Sequence, residues 1–562
     1  MLSQQGESVT VSDKQFDALC EHYYHSWFRY HPEKAVDVGV FDYADQLKSF
    51  EHDDIGALIV LNKKMKSALE ELTTSELDEQ RQIDYQIITG AVSVELHDLE
   101  ENDWRYRNPL EYLPVNAIYQ LLIYEVPKSQ ASIRGRLQAM PEYLRAAKVM
   151  LSQYPERVVR EWAETAKDIA YSGAEFIRGL TRHPLISAKF SNPASLQPLL
   201  DTAAVALNDF ARYIESDVIP AAEGKFASGQ YRFERLLNQK HFLDCDIEKI
   251  RTFGERLVET TELALKQSSK NICGKEDIAA ALDKIRTKHP QADELLPSYR
   301  KQMQSAHSWL LRSDLITVPE KQSLKVQQTP EFMRTIIPFA AYQPPMPLDR
   351  EQHGIYYVTT VKDEGLLAEH NYYSIDLTSV HEAFPGHHLQ FVVANQYTGN
   401  NVTRLLNASA SLYEGWALYC EQLVFEQGLY KKNEHEFIML RDRLWRALRV
   451  VIDVKLHTGE LTCEQAAKLL VEKLGFDLSQ ARSEISWYSS AAATPLCYAI
   501  GREIILKVRE QIVTDLKDNQ SLKKFHDTLL TQGSIALPLV VKTVFGESLW
   551  QSVHDEIFST LE

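Results

Sequence analysis

"SVHEAFPGHHLQ", residues 379–390, is the stretch on which the reading of this chain turns. His381 and Glu382 begin as the zinc-binding helix pattern H-E-x-x-H begins, but Pro385 stands where the second histidine belongs. His387 and His388 come only after the Pro385-Gly386 pair. Proline has no N–H to give the carbonyl of His381, and its ring disfavours helical backbone at Phe384, so an unbroken helix is not expected. In an unbroken helix the sixth residue on sits about 120° round from His381, and the seventh about 20° off but roughly 10 Å along the axis. Neither would share a metal with His381. A break at Pro385-Gly386 must bring one of them back, with glycine supplying the backbone freedom. Spacing alone leaves His387 and His388 both open.

A catalytic zinc takes three protein ligands, keeps one position open, and works beside a base. His381 is the first candidate ligand and Glu382, one residue on, the candidate base. The third ligand is sought on another element. "SASLYEGWALYCEQL", residues 409–423, has helical character and carries Glu414, with Glu421 seven residues on and on the same helical face. Its surroundings are largely apolar, and a buried carboxylate needs a partner or a metal. The two segments together favour a Zn(2+) site over chance clustering of surface charges.

The bulk numbers set limits. With 562 residues, a large core and at least two lobes are expected. Hydrophobic residues at 44% and charged residues at 25% fit a globular chain. Lys+Arg 61 against Asp+Glu 78 gives a net charge of −17, which argues against nucleic acid or an anionic membrane as the main partner. No stretch approaches the roughly 18 apolar residues of a membrane span. The six cysteines form no C-x-x-C pair, and the opening "MLSQQGESVTVSDKQ" has no basic region followed by an apolar run. Together these predict reduced thiols and a cytoplasmic protein. Oligomeric state is not legible.

Along the chain, apolar residues at 3–4 spacing predict helices from about 12 to 330, for example in "IRGRLQAMPEYLRAAKVMLSQY" and "DIEKIRTFGERLVETTELALKQ". Prolines and short β-branched runs around 325–350 suggest a boundary, dividing a helical lobe at 1–330 from a catalytic lobe at 331–562. "GIYYVTTV", residues 354–361, is the clearest strand, expected at a sheet edge. Helix returns from 376 onward. The expected fold class is mostly α, with a small β element beside the histidines.

With both segments in view, the chain resembles the bacterial family known as domain of unknown function 885. That pattern runs H-E-x-x-P-G-H-[HY]-x-Q and then E-G-W-A-x-Y-x-E. It is matched by His381, Glu382, Pro385, Gly386, His387, His388 and Gln390, then by Glu414, Gly415, Trp416, Ala417, Tyr419 and Glu421. The likeness takes in "GIYYVTT", "RALRVVIDVKLHTGELT" and "WYSSAAATPLCYAIG" more loosely. The family is in turn similar to glutamate-zincin peptidases of the angiotensin-converting enzyme and thermostable carboxypeptidase type. That similarity implies a two-lobed, long-helix fold with a deep cleft and a zinc-dependent peptidase activity. Because the pattern tolerates tyrosine at 388, the resemblance selects His387 as the second histidine ligand. One departure stands out: Trp487 replaces an arginine of the family pattern, and Ala492-Ala493-Thr494 replace Pro-Gly-Gln, while Tyr488, Tyr498 and Gly501 keep their places.

The reading is therefore a zinc metallopeptidase acting on a peptide or small amide. His381, His387 and Glu414 hold the metal, and Glu382 moves the proton. His388, Gln390 and Glu421 stand behind them. Tyr498 is the first choice as oxyanion donor, with Tyr488 and His457 next. Tyr356, Tyr357 and Thr359 of the predicted strand are read as holding peptide backbone by strand addition. Arg502 or Arg449 is read as a partner for a substrate carboxylate. Two alternatives use the same residues differently: a zinc hydrolase of a non-peptide amide or ester, and a non-catalytic helical binding protein.

Overall fold

The computed structural model describes residues 10–559. Residues 1–9, on which part of the reading of the opening stretch rests, lie outside them. Helices run from Val11–Trp27 to Glu547–Phe558, with one three-stranded sheet between them. The fold is mostly α, as the apolar periodicity predicts.

Helix boundaries follow local chemistry. In the helix Ile247–Cys273, Asp246 caps the start by accepting from the Lys249 N–H, and Gly274 ends it in the left-handed region. Ile250, Phe253, Leu257 and Leu265 form its buried stripe. That stripe lies along the helix Asn433–His457, so residues far apart in sequence share one core. A second core gathers chiefly the helices between Tyr112 and Ala222. The irregular stretch near 330 therefore marks the sheet rather than a division of the core. Phe233–Ile316 pack with Tyr373–Phe558, although their place in the sequence groups them with the N-terminal lobe.

The sheet consists of β1 (Ser323–Gln328), β2 (Ala340–Gln343) and β3 (His353–Val358), in the order β1-β3-β2. β1 pairs with β3 in parallel and β2 pairs with it antiparallel, with Tyr342 opposite Tyr356. The expected strand is real, but it is central and not at the edge. Side chains alternate across it: Tyr356 and Val358 join one cluster with Tyr299, while Ile355 and Tyr357 face the N-terminal core. A strand used on both faces and both edges reads as a continuous apolar run, which makes it the easiest of the three to recognise.

Candidate metal centre

The helix Tyr372–Glu382 starts at Asn371, whose side chain accepts from the Ser374 N–H at 3.0 Å. Its last intrahelical bond runs from the Ala383 N–H to the Ser379 carbonyl at 3.1 Å. A cis Phe384–Pro385 bond follows, and the Gly386 N–H then turns back to the Val380 carbonyl at 3.0 Å. The next helix, His387–Thr398, begins at once. Gly386 is required here by contact. A Cβ on it would lie 2.0 Å from the His381 carbonyl oxygen and 2.3 Å from that of Val380. The break therefore folds the chain back so closely that His387 returns to the level of His381.

The two imidazoles stand 4.8 Å apart between ring centroids and at 88° to each other. Glu414 reaches between them from the helix Ala410–Glu426. Its Oε2 lies 3.1 Å from His387 Nε2 and 3.5 Å from His381 Nε2, without hydrogen-bond geometry to either. One donor atom from each of the three lies within 4.8 Å of the others. Ligand atoms on a tetrahedral zinc with bonds of 2.0–2.1 Å are about 3.3 Å apart, so this donor set fits such an ion. Three polar atoms converging on one point with no protein hydrogen bond to satisfy Glu414 Oε2 is the arrangement a cation would complete.

Outer contacts fix the donors. Glu421, two turns beyond Glu414, places Oε1 2.8 Å from His381 Nδ1 and so holds the opposite ring nitrogen toward the cluster. In the chain without metal, burial alone would lower the His381 pKa. The neighbouring carboxylates of Glu414 and Glu421 instead carry it up to about 9. Burial would raise the Glu414 pKa, but His387 and His381 hold it well below the usual carboxylate range. Both shifts belong to one charge-dense cluster.

His388 is separated from His387 by its partners. Its Nδ1 meets the Tyr342 hydroxyl at 3.0 Å and its Nε2 the Gln322 Oε1 at 2.8 Å, so neither nitrogen is free. Burial pushes its pKa down to about 3. Gln390 is buried and donates to Ser534 Oγ at 2.8 Å. Glu382 is half-buried and makes no hydrogen bond or ion pair among the described residues. Burial raises its pKa, while His381, His387 and Arg446 oppose the rise.

Tyr498 is the one candidate oxyanion donor that the structure brings to the cluster. Its ring stacks on His381 at 6.3 Å and 11°, and burial keeps its hydroxyl protonated. It is delivered by a close crossing of the helices Ala410–Glu426 and Cys497–Ile512. A Cβ on Gly501 would lie 2.0 Å from the Ser411 carbonyl oxygen, and one on Gly415 2.6 Å from the Gly501 backbone. The Arg449 guanidinium lies 4.4 Å from the Tyr498 ring centroid and 5.2 Å from that of Trp487.

Other expected residues are placed elsewhere. The Tyr488 hydroxyl is enclosed by Arg449 Nε, Trp445 Nε1 and Glu484 Oε2, at 2.8, 3.0 and 2.8 Å. His457 is held between the Ser228 N–H and the Tyr488 carbonyl. Both are structural members of the C-terminal core and not oxyanion donors. Arg502 is buried against Gln422 and Glu503, and burial lowers its pKa to about 10. It has no free face for a substrate carboxylate. Strand addition at β3 is excluded because β1 and β2 occupy both its edges. Tyr356 is buried against Tyr299, Tyr357 meets the Tyr119 hydroxyl at 2.7 Å, and Thr359 donates to the Ile337 carbonyl.

Two residues with a role at this centre are assigned none from the sequence. Trp416 Nε1 donates to the Pro385 carbonyl at 2.8 Å and so clamps the helix break. A buried tryptophan needs a partner for its N–H, and a broken helix frees carbonyls, so the pair was in principle findable. Tyr342 of β2 stacks on His387 at 6.1 Å, but its position depends on sheet order, which has no local signal.

Solved structures with TM-scores of 0.75 and 0.76 share this fold. A protein from Shewanella oneidensis, described as a lipoprotein of unknown function, matches with a TM-score of 0.75 at 19% identity, over 94% of this chain and 99% of its own. A protein from Colwellia psychrerythraea, also described as a lipoprotein, gives 0.76 at 17% identity, over 97% and 100%. Trypanosoma cruzi metallocarboxypeptidase 1 gives 0.39 at 12% identity, over 97% and 100%. No curated protein matches. The cytoplasmic expectation does not stand, because relatives spanning nearly the whole chain are described as lipoproteins. The free thiols on which it rested are mostly buried and carry no compartment signal of their own. No described helix is long and apolar enough to cross a membrane. The profile described as "Bacterial protein of unknown function (DUF885)" matches residues 32–544, and the chain belongs to that family.

Proposed function

We propose that the protein is a zinc-dependent peptidase. The observation that carries this reading is the convergence of His381, His387 and Glu414 on one point beside an unpaired, half-buried Glu382. A purely structural metal site has no use for such a base. When bound, zinc supplies Lewis acidity and lowers the pKa of water in the site. Glu382 takes the proton of the attacking water and delivers it to the leaving amine. The Tyr498 hydroxyl donates a hydrogen bond to the carbonyl oxygen as negative charge builds there. Glu421 keeps His381 in the orientation that this geometry needs. The edge strand β2, with its Tyr342 beside His387, takes the place read for β3 as the strand beside the site.

The test is a panel of peptides, amides and esters offered to the zinc-loaded protein. The expected result is peptide hydrolysis that a chelator abolishes and added zinc restores. Cleavage of esters alone would replace the peptidase with another zinc hydrolase, and cleavage of nothing would remove the enzyme reading.

A further inference from the structure

Between the N-terminal helices and the C-terminal lobe lies a cavity of about 620 Å³. One wall is aromatic, with Trp27, Tyr30 and Trp104. The lining also includes small side chains, among them Ala408, Ala491, Ala492 and Thr494. Three of these belong to or adjoin the segment that departs from the family pattern. Small side chains among the lining leave room for a ligand side chain, and the volume is that of an ordinary small-molecule site.

The charges of this cavity do not cancel. His31 pairs with Glu95 at 2.9 Å, Arg232 with Asp98 at 2.6 Å, and Lys48 with Glu111 at 2.7 Å. Lys34 reaches Asp37 at 3.7 Å. That accounts for every carboxylate lining the cavity. Lys240 is left, and its ammonium makes no ion pair and no hydrogen bond among the described residues. Burial by the surrounding protein lowers its pKa, with Cys497 and Asp98 opposing the shift and Arg232 and Lys34 adding to it. On a chain of net charge −17, a cavity with an uncompensated cation selects for an anion.

The cavity adjoins a second one that comes close to the metal centre. A second, smaller cavity shares Lys34, Leu406 and Ala408 with it and reaches Gln343 of β2 and Phe391. The Phe391 ring lies 6.3 Å from that of His387. Two adjoining cavities thus lie between Phe391, beside His387, and Lys240.

We infer that this interlobe cavity is a substrate subsite for a carboxylate-bearing peptide, with the Lys240 ammonium pairing with the carboxylate and the aromatic wall taking the apolar side chain beside it. The inference rests on the peptidase reading for what the ligand is, but its test needs no turnover. The carboxylate comes either from the chain terminus or from an acidic side chain.

Binding is measured by calorimetry at low salt on the zinc-loaded Glu382→Gln protein, so that no probe is consumed. Three probes are used: an N-acetyl tripeptide ending in phenylalanine as the free acid, its C-terminal amide, and the amide with glutamate before the phenylalanine. We expect the free acid or the glutamate amide to bind about 10-fold tighter than the neutral amide, the scale of one partly desolvated ion pair. The first outcome assigns the terminal carboxylate and the second the side chain. Lys240→Gln should erase the difference and Lys240→Arg should keep it. Equal binding of all three probes to the parent protein would overturn the inference, as a lysine that merely complements the end of its helix would give. Discrimination without any hydrolysis by the wild-type protein would leave the subsite standing and remove the peptidase.

Discussion

The Trp416 indole donates a 2.8 Å hydrogen bond to the carbonyl of Pro385, joining the helix that carries Glu414 to the break that returns His387. Two short sequence motifs are thereby one mechanical unit. Trp416→Phe keeps the ring and removes the donor, leaving a buried carbonyl unpaired. The expected cost is about 1–3 kcal/mol of stability and, since the break positions a ligand, a loss of metal affinity of about 10- to 100-fold. Urea denaturation and competitive zinc titration read the two effects separately. Unchanged zinc affinity would show that the break holds without this clamp.

Gly386→Ala tests the break itself. A methyl group there meets two carbonyl oxygens at 2.0 and 2.3 Å, and both belong to backbone that cannot swing aside. Relief requires His387 to move away from His381. Zinc should fall from about one per chain to well below that, with a stability loss of about 1–3 kcal/mol from overpacking. Metal analysis after dialysis is the check, and a fully loaded variant would contradict so close a return of the chain.

The adjacent histidines separate cleanly. His387→Ala removes a converging donor and should abolish stoichiometric zinc. His388→Gln removes a ring already committed to Tyr342 and Gln322, so zinc should stay near one per chain while stability falls by about 1–3 kcal/mol. Elemental analysis of both proteins decides it. The reverse pattern would mean that the chain returns one residue later.

Much of the site was legible because it is written in local rules. Proline at 385 announces a break, glycine at 386 the close return, and seven-residue spacing puts Glu414 and Glu421 on one face. The tie between His387 and His388 was not legible from spacing, since it depends on Tyr342 and Gln322, which approach from other elements. β3 was visible as a strand, yet its central place was not. β1 and β2 are short, one is parallel, and strand order is a non-local property. Tyr488 and His457 misled for a related reason: an apolar helix bearing a tyrosine or histidine looks the same whether that residue faces a cleft or a core.

Acid sensitivity follows from three buried histidines. Burial lowers the pKa of His370 to about 3 and those of His457 and His526 to about 4. Each donates or accepts hydrogen bonds as a neutral ring, His526 between the Leu315 carbonyl and the Tyr419 hydroxyl. Unfolded, each takes a proton near pH 6.5, so between about 6.5 and 4 the unfolded chain binds more protons and stability falls as pH falls. The slope approaches about 1.4 kcal/mol per pH unit for each group. Urea midpoints measured from pH 7.5 to 4.5 should hold above pH 6.5 and drop steadily below it. A flat profile down to pH 5 would show that these rings are protonated in the native protein.

Catalysis as proposed depends on Glu382 moving a proton and not holding the metal. Glutamine is nearly isosteric but cannot accept a proton at neutral pH, and a general base contributes about 100- to 10,000-fold. The decisive measurement is the turnover number of zinc-loaded Glu382→Gln on the best peptide from the panel, with zinc content determined on the same sample. We expect about one zinc per chain, turnover reduced by at least about 100-fold, and substrate affinity changed far less. Near-normal turnover with zinc in place would refute the role of Glu382 as the base.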